Sequence, residues 1–179
     1  MIEIRTEQFT LRPFGMEDVP SLTEHINNRK IWRNVRDVLP HPYDEDHARN
    51  FIKQCLDNKQ DYIFAIDLNG GVAGAIGLHH KEDVYRLNFE LGFWLGEPFW
   101  GRGIMTAVIG KIVDFAFTNT EVHRLYAEVF DHNQASMRVL TKNNFRHEAV
   151  LREAIIKDEK IEDLHVFAWL RSEWEAARP

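Results

Sequence analysis

The sequence predicts one mixed α/β domain over residues 1–179, and three observations carry that reading. Residues 62–68 and 72–78 flank an Asn69-Gly70-Gly71 turn as a hairpin, and residues 85–95 alternate apolar and polar side chains in strand fashion. Residues 105–116 switch to spacings of three and four, the period of a buried helix face. Strand-like and helix-like stretches then alternate, giving the order β-α-α-β-β-β-α-β-α-β-β.

The first strand spans residues 7–14, where Phe9, Leu11 and Pro13 alternate against Thr10 and Arg12. A helix at 17–28 follows, and a second at 44–58 starts from Asp44, whose carboxylate suits the free amides of a first helical turn. Between them, residues 31–43 hold Trp32, Arg33, His41 and Tyr43; Pro40 and Pro42 make the end of this segment a loop. Strands at 62–68 and 72–78 form the hairpin. After a polar turn at 81–84, the third strand of the meander runs over 85–95. It places Leu87, Phe89, Leu91, Phe93 and Leu95 on one face and Asn88, Glu90, Gly92 and Trp94 on the other. The next helix buries Met105, Val108, Ile109, Ile112, Val113 and Ala116 as one stripe. A strand at 124–130, a short helix at 134–143, a strand at 145–156, a polar turn at 157–160 and a last strand at 161–170 complete the plan.

Apolar residues make up 44% of the 179 positions, enough for a sizeable core in a soluble protein. The net charge is −6 and no basic block occurs, so nothing points to a duplex-wide phosphate footprint, and an acidic surface mildly favours cationic substrates. Cys55 is the single cysteine, so neither an intrachain disulfide nor a cysteine zinc site is expected. No apolar run reaches about 18 residues, and the start lacks a signal-peptide core. A cytoplasmic protein without membrane association is expected.

Chemistry concentrates where the strand ending at Leu95 runs through Gly96-Glu97-Pro98-Phe99-Trp100-Gly101-Arg102-Gly103 into a helix. Glycines let backbone amides point outward, and a helix start offers free N–H groups and the positive dipole end. That combination suits a pyrophosphate, although a plain glycine-rich turn has the same composition. A Walker loop is excluded because no Gly-Lys-Ser/Thr closes it, and a dinucleotide fingerprint lacks its third glycine.

Trp100-Gly101-Arg102-Gly103-Ile104-Met105-Thr106, following Glu90-Leu91-Gly92-Phe93-Trp94-Leu95, resembles the acetyl-CoA site of the GNAT superfamily of N-acetyltransferases. The nearest branch is that of the ribosomal-protein N-terminal (serine/alanine) acetyltransferases. Thr10-Leu11-Arg12-Pro13-Phe14, Asn133-Gln134-Ala135-Ser136, Asn143-Asn144-Phe145 and residues 163–169 extend the resemblance over nearly the whole chain. The family's loop pattern is Gln or Arg, two residues, Gly, one residue, then Gly or Ala. Gly103 matches it, while Trp100 and Met105 depart. The resemblance implies a GNAT-like fold, a mostly antiparallel central sheet of about seven strands flanked by about four helices.

It also implies that Gly101, Arg102, Gly103, Ile104, Met105 and Thr106 cradle the pyrophosphate of acetyl-CoA. Phe93, Trp94 and Leu95 would pair with the pantetheine arm as if it were an added strand, aided by a bulge near Gly92. Asn133 would bond the same arm, or serve only as the N-cap of the helix after it.

Direct transfer needs a base for the amine, a donor for the thioester oxygen and an optional acid for the departing thiolate. Glu90 is the first candidate base; a cross-strand ion pair is the other role open to it. Glu153, which the resemblance places beside the substrate, is the second. The position of a common family tyrosine is Leu140, which cannot donate, and the resemblance implies Ser136 as the group facing the sulfur. A helix-surface serine is the plain alternative. Amides of Phe93 or Trp94 would polarise the thioester oxygen.

His79 and His80 point to opposite faces of a strand, and His123, His132, His147 and His165 lack ligand spacing, so no metal is expected. Trp32, Tyr43 and Trp94 line either an acceptor pocket or the core. The acceptor is a primary amine: a protein N-terminus, as the nearest branch implies, or a small molecule such as a polyamine, amino acid or aminoglycoside. A non-catalytic acyl-CoA-binding module is the competing class. The last strand, with Trp169 and Trp174, offers an edge for a homodimer.

Overall fold

In a computed structural model describing residues 2–178, the chain folds in the order β1 (Ile4–Arg5), β2 (Thr10–Arg12), α1 (Val19–Ile26), α2 (Arg29–Trp32), α3 (Glu45–Asp57), β3 (Tyr62–Leu68) and β4 (Gly71–His80). It continues with β5 (Asn88–Leu95), α4 (Ile104–Asn119), β6 (Arg124–Phe130), α5 (Gln134–Lys142), β7 (Arg146–Lys157), β8 (Lys160–Leu170) and α6 (Arg171–Ala176). The strands form one eight-stranded sheet in the order β1-β2-β3-β4-β5-β6-β8-β7. The sheet is mostly antiparallel, with β5 and β6 parallel. This is the expected mixed fold with β1, α2 and α6 added, each too short to show a period. No helix among the described residues is long and apolar enough to cross a membrane.

The chain forms two compact units, one ending at Gly77 and resuming over Gly92–Ile104, the other comprising Leu78–Leu91 and everything from Met105 onward.

In the first unit, Asn69 and Gly70 adopt φ of 58° and 89°, the left-handed pair that a two-residue hairpin turn requires. Asp44 caps α3 as expected, accepting the His47 amide at 2.9 Å. The core gathers Leu22, Ile26, Ile31, Tyr43, Ile52, Val72 and Trp94 among others. Of the two roles open to Tyr43 and Trp94, the structure displays the core one: both are buried within this cluster. Arg12 bridges Asp18 (2.8 Å) and Asp67 (2.7 Å). The hydrogen bond to Asp18 is the main reason its pKa rises, against the opposing effect of burial. Burial, with a smaller push from Asp61, drives the Cys55 thiol up to about 12, which removes it as a nucleophile.

In the second unit, the α4 stripe is buried as expected, with Val108, Ile109, Ile112 and Ala116 fully so. Arg171 donates to the carbonyls of Phe117, Thr120 and Val122 and so closes the C-terminal end of α4. β8 has β6 on one side and β7 on the other. It is therefore an inner strand and not the edge expected of it. Trp169 and Trp174 are both buried; Phe117 lies 6.3 Å from the first ring and 5.4 Å from the second, and Trp174 Nε1 donates to Asp114.

Candidate functional site

The site grows from the end of β5. The hydrogen bonds Lys81 N to Asn88 O and Gly96 N to Ala73 O keep one register along the β4–β5 ladder. That leaves no net extra residue for the bulge expected near Gly92. The register turns the peptide groups of Trp94 toward β4, where its carbonyl oxygen lies against Gly74. Phe93 and Leu95, one residue out of phase, present theirs to the opposite side. The parallel ladder with β6 covers only Asn88–Glu90 against Arg124–Tyr126, and β5 runs on past its end. Of the two amides expected to polarise a thioester, the Phe93 amide is the one directed away from β4.

After Leu95 a 3-10 turn (Glu97–Phe99) leads to the glycine loop. Glu97 pairs with Lys30 and accepts from Asn28 Nδ2 at 2.8 Å. Its carboxyl is held below the usual range, first by the Lys30 hydrogen bond and then by Asn28. Trp100 Nε1 donates to Leu95 O at 2.6 Å, pinning the loop back onto the strand. Gly101 and Gly103 have φ of 73° and 76°, and a Cβ on either would meet nothing within 4 Å. α4 then begins at Ile104, with no acidic residue in its first turn.

Ile104 and Met105 bury their side chains, so only their amides are available to a ligand, while Thr106 is half-buried. Arg102 is exposed, and no hydrogen bond or ion pair engages its guanidinium among the described residues. Left-handed glycines, a helix start without carboxylates and an uncommitted guanidinium fit a pyrophosphate. Trp100 departs from the family's loop pattern, and its indole N–H nonetheless gives it a holding role.

The other candidates lie in the second unit. Glu90 is only 8% exposed, and its Oε2 takes the Lys81 ammonium at 2.6 Å and the Tyr126 hydroxyl at 3.5 Å. Burial works to lower the Lys81 pKa, but the bonds to Glu90 and Tyr126 prevail and raise it. Tyr126 is also raised, chiefly by burial. The ion-pair role is thus the one this geometry displays for Glu90. Lys81, at the end of β4, carries no signal in the sequence, because turn lysines are usually solvated.

Asn133 caps α5, its Oδ1 accepting the Ser136 amide at 3.1 Å. Ser136 is half-buried in the first turn, and Leu140 is fully buried, a core residue of α5. Glu153 is exposed on β7 with φ of 52°, and its amide donates to Asp163 Oδ1 at 2.8 Å. No hydrogen bond or ion pair engages its carboxylate among the described residues. His147 and His165 stack, with ring centroids 4.9 Å apart. No group of three or more His, Cys, Asp or Glu suited to a metal occurs among the described residues.

Comparison with known proteins decides the family. The family described as "Acetyltransferase (GNAT) domain" matches residues 8–146. The chain belongs to the GNAT acetyltransferase family. Its expected class, an acetyl-CoA-dependent N-acetyltransferase, follows.

Among curated relatives of this GNAT protein is the uncharacterized N-acetyltransferase p20 of Bacillus licheniformis, 25% identical over 97% of this chain and 99% of that one. The [ribosomal protein uS5]-alanine N-acetyltransferase of Escherichia coli (strain K12) is 24% identical over 99% of this chain and 95% of that one. Among solved structures, RimL, a ribosomal L7/L12 alpha-N-protein acetyltransferase in complex with coenzyme A, superposes with a TM-score of 0.85 at 20% identity, covering 96% of this chain and 99% of that one. That likeness supports the fold.

Proposed function

We propose that this GNAT enzyme acetylates the N-terminal amine of a protein in the cytoplasm, by direct attack in a ternary complex. The observation that carries the reading is the pinned loop with left-handed Gly101 and Gly103 opening onto the start of α4. The amides of residues 101–106 and the Arg102 guanidinium hold the pyrophosphate. The outward peptide groups of Phe93 and Leu95 hold the pantetheine arm, except that the Leu95 carbonyl already serves Trp100. Acetyl-CoA supplies the activated acyl group.

The chain's own residues manage the protons. Glu153, with an exposed and uncommitted carboxylate, accepts the proton from the attacking amine, directly or through one water. The new C–N bond forms as the C–S bond breaks, and the Phe93 amide steadies the thioester oxygen. The Ser136 hydroxyl donates a hydrogen bond to the departing sulfur, which leaves as the thiolate and takes its proton from water. Glu90, ion-paired to Lys81, keeps the end of the β5–β6 ladder rigid in place of acting as base. Similarity to the uS5-alanine enzyme supports a protein N-terminus as acceptor.

The test incubates the full chain with acetyl-CoA and a panel of N-terminal peptides, polyamines, amino acids and aminoglycosides, following released thiol. Thiol release with peptides and not with the small amines is expected. Release with a small amine alone sinks the protein-acceptor reading. Saturating acetyl-CoA at about 100 Kd should add about 2.7 kcal/mol of stability; an unmoved Tm sinks the acetyl-CoA site.

A further inference from the structure

Glu153 holds a left-handed backbone that side chains rarely adopt, and the β7–β8 register shows why. Leu151 pairs with Leu164 and Ile155 with Glu162, so β7 advances four residues where β8 advances two. The excess bulges outward, and the β8 residue facing it is Asp163. Bulges of this kind re-aim a side chain. The Asp163 carboxylate accepts the Glu153 amide at 2.8 Å. Glu153 is exposed, so water would satisfy that amide equally well. The bond instead selects one backbone conformation of the bulge.

Asp163 also acts through its main chain. Its carbonyl accepts the Asp131 amide at 3.2 Å. Asp131 opens the turn that delivers Asn133 and Ser136 to α5. The neighbours of Asp163 grip the same turn: Glu162 reaches His132 Nδ1 at 2.5 Å, and His165 Nε2 reaches Asp131 Oδ1 at 2.9 Å. One stretch of β8 therefore holds both the strand bearing Glu153 and the turn leading to Ser136.

We propose that Asp163 is a positioning residue for acetyl transfer: its side chain fixes the bulge that aims Glu153, and its carbonyl ties that point to the turn carrying Ser136. This rests on the reading of Glu153 as the base. Without the Asp163 carboxylate the left-handed conformation, unfavourable for glutamate, relaxes and the base loses its aim.

The test compares Asp163→Ala, Asp163→Asn and Glu153→Gln, with acetyl-CoA and the best peptide from the panel above. Asp163→Ala should lower kcat tenfold or more and leave KM for acetyl-CoA within twofold. Its rate should climb steadily with pH, because solvent must then deprotonate the amine. Asp163→Asn keeps a side-chain carbonyl acceptor and should recover kcat to within threefold of the parent. Should Asp163→Ala fail to fold, Asp163→Ser, one bond shorter, is judged by the same readouts. Parent-like kcat and pH profile in Asp163→Ala, beside a slow Glu153→Gln, overturn the inference and leave Glu153 standing. A fully active Glu153→Gln overturns the Glu153 reading and the inference with it.

Discussion

Gly74→Ala tests whether the position of Phe93–Leu95 depends on the close approach of β4. A Cβ at Gly74 would lie 2.4 Å from the Trp94 carbonyl oxygen and 3.0 Å from the Leu95 α-carbon, both backbone atoms. Ordinary contact begins near 3.4 Å, so the two strands must part by about 1 Å. Neither atom can swing aside as a side-chain tip would. Overpacking of this kind costs about 1–3 kcal/mol, and a backbone obstacle puts the cost near the upper value. For a chain of this size that lowers Tm by roughly 6–12 °C. The displaced atoms belong to the strand proposed to hold pantetheine, so the Tm rise produced by acetyl-CoA should shrink as well. Differential scanning fluorimetry with and without acetyl-CoA reads both effects. A Tm within about 2 °C of the parent would refute the packing argument. A large Tm loss with an undiminished acetyl-CoA shift would refute the link to the cofactor strand.

Three further outcomes are expected. Gly103→Ala meets open space, but φ of 76° costs an alanine about 1–2 kcal/mol, so the free variant loop relaxes to another conformation that binding must reverse, and calorimetry should show acetyl-CoA binding weakened by up to about 5–30-fold; an unchanged Kd would count against the loop as its cradle. Glu153→Gly relieves the left-handed strain, so Tm should stay within about 2 °C, unlike an ordinary strand glycine, while turnover falls; a Tm drop beyond about 4 °C contradicts the bulge geometry. Glu148 is held below the ordinary carboxylate range chiefly by its hydrogen bonds to Arg124. Because the folded pKa is the lower one, that stability is complete above the unfolded value and disappears as pH falls through the folded one. Glu148→Gln should therefore lower stability at pH 7 by no more than the about 1 kcal/mol of an exposed pair, a Tm loss of at most about 4 °C, and make little difference near pH 2; an equal Tm loss at both pH values rules the pairing out.

Much of the fold was legible because long elements carry a period. The α4 stripe, the Asp44 cap and the Asn69-Gly70 turn each appear where local chemistry put them. The strand expected over 85–95 begins only at Asn88, since residues 83–85 close a tight turn first. Its expected one-sided alternation is lost because both faces are covered, and Phe89, Glu90, Leu91 and Trp94 are all buried. Pairings distant in sequence were not legible. Nothing near Glu90 announces Lys81 as its partner, and nothing near Glu153 announces an Asp163 cap, because both follow from strand register. Reading residues 161–170 as an edge failed for the same reason: strand order depends on crossovers that local pattern does not encode.

The bond from the Trp100 indole to Leu95, with Glu97 moored to Lys30 and Asn28, means that the phosphate loop is shaped before its ligand arrives. Little backbone entropy remains to be lost there on binding, and Arg102 is the one long side chain of the loop left to be ordered. Association should then resemble docking onto a preorganised surface, with differences in affinity between CoA thioesters expressed mainly in how fast they leave.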